Sequence, residues 1–181
     1  MAFLNQIRLS LLRPSKCIWR VALVIVLLLP PAWLAASPLA GALKDAQLRG
    51  TSTFRYLGLP IYDAKLFTPR GGPFSWNEDF GLQLTYRKSL KQKALVQSTL
   101  DEIERQGNKA PSQTQLEQCF QAVSKGDSYL AISEGPNQVD FWRNGNKTCA
   151  LSSLGIKRAF MSIFLGDDTR SANFTRQLKG Q

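Results

Sequence analysis

Three stretches between Gln47 and Tyr86 change polarity at every second residue, and that period selects half-buried strands over helices. In residues 47–56, Leu48, Gly50, Ser52, Phe54 and Tyr56 share one face, and Gln47, Arg49, Thr51, Thr53 and Arg55 take the other. Leu57-Gly58 predicts a turn, followed by a strand over 61–67 with Tyr62, Ala64 and Leu66 on one side. So short a connection predicts an antiparallel pair. The glycines and prolines of residues 69–79 predict a loop. Phe80, Leu82, Leu84 and Tyr86 then alternate as a third strand.

The period changes over 90–105. Leu90, Ala94, Leu95, Leu100 and Ile103 fit a helix with a charged outer face, ended by Gly107-Asn108. Ser112-Gln-Thr-Gln115 is a capping box, and Leu116, Cys119, Phe120 and Val123 follow at helical spacing. After Gly126-Asp127 a strand is expected over 129–133. Another over 139–143 pairs with 147–151 through Asn144-Gly145, a strong hairpin signal. Ile156, Ala159, Phe160, Ile163 and Phe164 form a helical stripe that Gly166 stops, and a short helix from Ser171 places Phe174 over Leu178. Elements grouped in this way, rather than strictly alternating, predict an α+β domain with an antiparallel sheet.

The first forty residues do not fit that plan. Arg8, Arg13, Lys16 and Arg20 precede an apolar run over 21–29, Pro30-Pro31 stops it, and Trp33-Leu34-Ala35-Ala36 follows. A basic segment, a short apolar segment and small residues in that order read as an export signal, cut after Ala36 or Ala40. The run is too short to span a bilayer, which takes about 20 apolar residues. Residues 1–40 are therefore expected to be a signal peptide and 41–181 a single domain, placed in the periplasm or secreted. The membrane is then met only through the signal segment. Removing the signal leaves 19 basic against 13 acidic residues. The excess is scattered apart from one cluster over 87–93. A solvated face explains that cluster most simply; an anionic membrane surface or an acidic ligand is the alternative. Nucleic acid is not expected, since no binding motif of that class is present. Cys119 and Cys149 remain in the domain. An oxidising compartment permits a disulfide between them; one buried free thiol and one incidental cysteine is the other possibility.

The chain has no histidine. Ser-His and Cys-His nucleophilic catalysis and most zinc sites are thereby removed. No glycine loop has phosphate-binding spacing, and Asp167-Asp168 reads as a solvated turn, so neither metal nor cofactor is expected. Asn146-Lys-Thr148 and Asn173-Phe-Thr175 fit a glycosylation pattern that is common by chance. What remains is the polar face of the first strand pair. Arg49, Thr51, Thr53 and Arg55 are candidates to hold an anionic group through an arginine fork, against the simpler alternative of an exposed sheet face. Tyr62 is either a core residue or a donor to a ligand.

Several segments taken together resemble the exported bacterial branch of the chalcone isomerase-like family. They are Leu48-Arg-Gly50, Tyr56-Leu-Gly58, Ile61-Tyr-Asp-Ala-Lys-Leu-Phe67, Leu82-Gln-Leu-Thr-Tyr-Arg87, Gly126-Asp127, Phe141-Trp-Arg-Asn-Gly145, Phe160-Met-Ser-Ile-Phe-Leu-Gly166 and Arg176-Gln-Leu-Lys-Gly180. The resemblance implies an open-faced β-sandwich, with a long antiparallel sheet covered on one side by helices and a cleft between them. Plant members close a flavanone ring with an arginine, a threonine and a tyrosine–lysine–asparagine group on a helix, and relatives without that chemistry bind fatty acids. Arg49 matches the arginine, and the threonine falls near Tyr62. The helical group fails, with Lys93, Val96 and Leu100 where the tyrosine, lysine and asparagine belong. A site without its water-positioning groups is not expected to run the cyclisation.

The expected function is non-catalytic binding of a small amphipathic anion such as a fatty acid, its charged end held by Arg49 with Thr51, Arg55 and Tyr62. One alternative is an intramolecular lyase or isomerase using Arg49 and Tyr62 with Lys91 or Lys93. Another is a structural or interaction protein of the cell envelope with a filled cleft.

Overall fold

A computed structural model describes residues 38–181. Cys17 and the export pattern up to residue 37 lie outside them. The alternating stretches become strands β1 (Ala46–Tyr56), β2 (Leu59–Pro69), β3 (Gly81–Tyr86), β4 (Ser128–Ser133), β5 (Gln138–Arg143) and β6 (Asn146–Ser152). They form one antiparallel sheet in the order β1-β2-β3-β4-β5-β6. The helices are α1 (Pro38–Ala42), α2 (Gln92–Arg105), α3 (Gln113–Cys119), α4 (Ile156–Leu165) and α5 (Ala172–Leu178).

One side chain in two along each strand points to the helix-covered face. Ala64 and Leu66, Leu82, Leu84 and Tyr86, Tyr129 and Ala131, Val139 and Phe141, and Leu151 are all buried there. They meet Leu95 and Val96 of α2, Leu116 of α3, Ile156, Phe160 and Phe164 of α4, and Phe174 and Leu178 of α5 in one core. The expected capping box forms: Ser112 Oγ accepts from Gln115 N–H at 3.3 Å, and Gln115 Oε1 accepts from Ser112 N–H at 3.0 Å. Gln92 ties α2 to α3 by donating to the carbonyls of Glu117 and Phe120. Cys119 and Cys149 form a disulfide, with Cα atoms 5.1 Å apart, fastening α3 to the edge strand β6.

Uninterrupted alternation in β1 puts Leu48 with Gly50, but the structure breaks the phase between them. Leu48 pairs with Phe67 and Gly50 with Leu66, so Arg49 is an extra residue with no partner across the ladder, a β-bulge. Leu48 therefore faces outward and is 52% exposed. The cause lies in α5. A Cβ on Gly50 would stand 2.5 Å from the Leu178 carbonyl oxygen and 2.6 Å from that of Gln177. Only glycine lets the end of α5 come this close to β1. Gly50→Ala is expected to cost about 1–2 kcal/mol through forced backbone displacement, read as a lower midpoint in urea at unchanged slope.

The opposite face of the sheet is partly covered by α1, whose first three residues fall in the expected signal segment 1–40. Leu39 lies over Gly81, beside Ile132 and Leu130, where a Cβ on residue 81 would meet it at 3.0 Å.

Candidate functional site

A cavity of about 320 Å³ separates the inner face of the sheet from α2, α4 and α5. Aromatic rings form much of its wall; Phe54 stacks on Tyr62, and most of the other neighbouring rings meet edge to face. Ring centroids run from Phe54 to Tyr62 (5.2 Å), Tyr62 to Tyr86 (6.1 Å), Tyr86 to Tyr129 (6.5 Å) and Tyr129 to Phe120 (5.7 Å). From Phe120 the wall continues to Phe141 (5.4 Å), Phe160 (5.0 Å) and Phe164 (5.9 Å). Separations of this size are those of favourable aromatic pairs. Leu82, Leu84, Leu95 and Ala131 line the space between them.

Few polar groups reach this space. Tyr129 accepts a hydrogen bond from Gln121 N–H at 2.8 Å. Burial raises the pKa of Tyr62, Tyr86 and Tyr129, with neighbouring phenols adding to the effect on the first two. All three are neutral hydroxyls at physiological pH, able to donate to a ligand oxygen but not to serve as phenolate bases. Glu102 of α2 is the one carboxylate in the lining and is 1% exposed. Arg105 Nη2 donates to its Oε1 at 2.7 Å, Gln106 Nε2 to the same oxygen at 3.1 Å, and Arg170 Nε to Oε2 at 2.5 Å. Burial pulls the Glu102 pKa upward, but these donors outweigh it and hold the group below its ordinary value. Arg105 also reaches the Asp168 carboxylate at 2.8 Å and its carbonyl. The cavity opens where exposed residues line it, at Tyr56, Ala94, Ser98 and Arg170.

Of the residues singled out in the sequence, only Tyr62 is in the lining. The bulge turns Arg49 onto the end of α5, where its Nε donates to the Lys179 carbonyl at 2.9 Å and Nη2 to that of Gly180 at 3.4 Å. The arginine of the Leu-Arg-Gly motif thus holds the carbonyls that follow α5 and lies outside the cavity lining. Thr51 is exposed, opposite Lys65. Arg55 Nη1 donates to the Gly58 carbonyl in the hairpin turn. Thr53 donates to Asp63, which also accepts from Arg87. The polar face of the first strand pair is the outer face of the sheet, where Thr53, Asp63 and Arg87 bond one another. Lys91 and Lys93 are exposed, Val96 is in the core and Leu100 packs beside it; none of these four lines the cavity. Arg170 and Glu102 line the cavity without being among the sequence candidates. Glu102 carries a legible signal: Leu95, Thr99 and Glu102 sit at i, i+4 and i+7, so a carboxylate stands on the helix face that also holds Leu95.

A fatty-acid binding protein of Arabidopsis thaliana superposes with a TM-score of 0.56 at 11% sequence identity, over 75% of this chain and 87% of that one. This chain has the chalcone isomerase-like fold. The six-stranded antiparallel open sheet, with α2 to α5 on one face, satisfies the architecture expected from the sequence; α1 on the other face is the one departure among the described residues. No family model and no curated protein matches the sequence.

Proposed function

We propose that this chain is a non-catalytic binding protein for a small amphipathic molecule, a fatty acid or similar acyl chain, held between sheet and helices. The aromatic cavity carries the reading. Its volume of about 320 Å³ falls at the small end of the ordinary range for ligand pockets, about 300–1,000 Å³, and its mostly apolar wall with a few polar groups is typical of them. The likeness to the Arabidopsis fatty-acid binding protein supports the same ligand class. The acyl chain lies along the rings, and its polar end sits at the rim beside Arg170, with Tyr62 as a neutral donor. The lyase or isomerase alternative needs Arg49, Tyr62 and Lys91 or Lys93 at one point, and only Tyr62 reaches the cavity. A filled cleft, as a purely structural protein would have, is at odds with the open volume. We place the protein in the periplasm or outside the cell; the basic–apolar–small order of its first forty residues and the Cys119–Cys149 bond support that compartment.

Native mass spectrometry after mild purification is expected to show one acyl chain per protein, taken up again when palmitate is titrated into stripped protein. Ala131, buried in mid-sheet and lining the cavity, is the place to fill it. Ala131→Phe is expected to abolish uptake while the circular dichroism of the fold is kept. A parent protein that stays apo throughout the titration sinks the reading.

A further inference from the structure

The β1–β2 hairpin ends in an apolar tip at the cavity rim. Leu57 is 86% exposed, Tyr56 58% and Leu59 55%, and Tyr56 and Ile61 also line the cavity. The turn itself is built against its own chemistry. Leu57 and Gly58 have φ of 48° and 79°, the type I′ combination, which requires positive φ at both central residues and favours asparagine at the first. A leucine there strains the backbone and leaves an apolar side chain in water; asparagine would relieve both. Strain of this kind persists where function retains it.

The unpaired charge around the tip has one sign. Arg87 N–H donates to the Ile61 carbonyl, which sets the segment 87–91 beside the base of the hairpin. Arg55, Lys88, Lys91 and Lys93 are exposed, and none of the four is in an ion pair among the described residues. The acids at this end of the sheet, Asp63 and Asp127, are bound to Arg87 and Arg143. An apolar projection ringed by unpaired cations matches a bilayer carrying anionic headgroups, whose surface potential attracts each lysine and whose interior takes the leucines.

We propose that the β1–β2 hairpin tip docks this protein on anionic lipid membranes, with Leu57, Tyr56 and Leu59 entering the interface and Arg55, Lys88, Lys91 and Lys93 against the headgroups. This contact is additional to the N-terminal signal segment. It deepens the acyl-binding reading, because the docked tip sets the cavity mouth on the source of the ligand, and it is measured separately from that reading.

The test is flotation of the protein, purified from cells as they process it, with vesicles of phosphatidylcholine alone and of phosphatidylcholine with 30% phosphatidylglycerol, roughly the anionic content used to mimic a charged leaflet. Binding to the anionic vesicles is expected, weakened by salt. Leu57→Asn is expected to lower it at least about tenfold while raising the melting temperature. Lys88→Glu and Lys91→Glu are each expected to lower it about fivefold or more. Ala131→Phe, which fills the cavity, should float as the parent does, so loss of acyl uptake and loss of docking are read independently. Failure of the parent to bind anionic vesicles overturns the proposal. So does equal binding by Leu57→Asn, or a concentration-dependent dimer that Leu57→Asn abolishes with no vesicle binding in the parent.

Discussion

The double variant Cys119→Ala/Cys149→Ala is expected to melt roughly 10 °C below the parent. The bond joins residues separated by 30 in sequence. In the chain-entropy account, closing a loop of that length removes enough freedom from the unfolded chain to stabilise the fold by about 3–4 kcal/mol. The effect is concentrated on one element. The short helix α3 is held by the disulfide, by Gln92 at its C-terminal carbonyls and by Leu116 in the core. Phe120, the next residue after Cys119, is part of the cavity wall. Calorimetry of the parent with and without reductant should reproduce the variant's shift. A shift under about 2 °C in both experiments would show that α3 is held by packing alone.

The second large effect comes from Glu102. Arg105→Ala/Arg170→Ala leaves its carboxylate buried without compensating charge, a state that costs about 3–5 kcal/mol. The reverse deletion, Glu102→Gln, leaves two half-exposed guanidinium groups to water and is expected to cost much less. The sign with pH separates the two. In the parent, the arginine and glutamine donors hold the Glu102 pKa below its ordinary value of 4.5. That stability is fully present above 4.5 and is lost as pH falls through the folded pKa. In the double arginine variant burial is the main remaining influence and raises the pKa. Its deficit against the parent is therefore largest at neutral pH and shrinks in acid, where the stranded carboxylate is protonated. Urea midpoints at several pH values measure the difference. A deficit that stays constant from neutral to acid pH would mean that the arginines act through packing and not through Glu102.

Local signals in the sequence were sufficient for most of the architecture. The Asn144-Gly145 turn has φ of 49° and 87°, as a two-residue hairpin requires. The Ser112 capping box sits where its spacing puts it, and the Ile156, Ala159 and Phe160 stripe is buried. Each is written within a few neighbouring residues. The site was largely illegible because tertiary docking sets it. The bulge at Arg49 depends on the approach of α5, which lies more than a hundred residues away in sequence, and one extra residue reverses the facing of Leu48 against Gly50. Arg170 sits in a connecting loop with no periodicity to mark it, and it gains its role only by meeting Glu102 of α2. Arginine and threonine on an alternating strand fit a binding face and a solvated face equally well, so the pattern alone did not say which face the helices cover.

The strand order also governs how the molecule can assemble. Position in the sheet repeats position in the chain, with no strand inserted between earlier neighbours. A chain emerging from its N-terminal side finds each preceding strand already laid down as the template for the next, and most closures span a single short turn. The exceptions are the loop between β2 and β3 and the far longer junction between β3 and β4, which must wait for α2 and α3. Until that closure the hairpin β1–β2 with β3 presents an unsatisfied row of backbone donors and acceptors along β3, so the rate at which β4 arrives sets how long the nascent protein is open to mispairing.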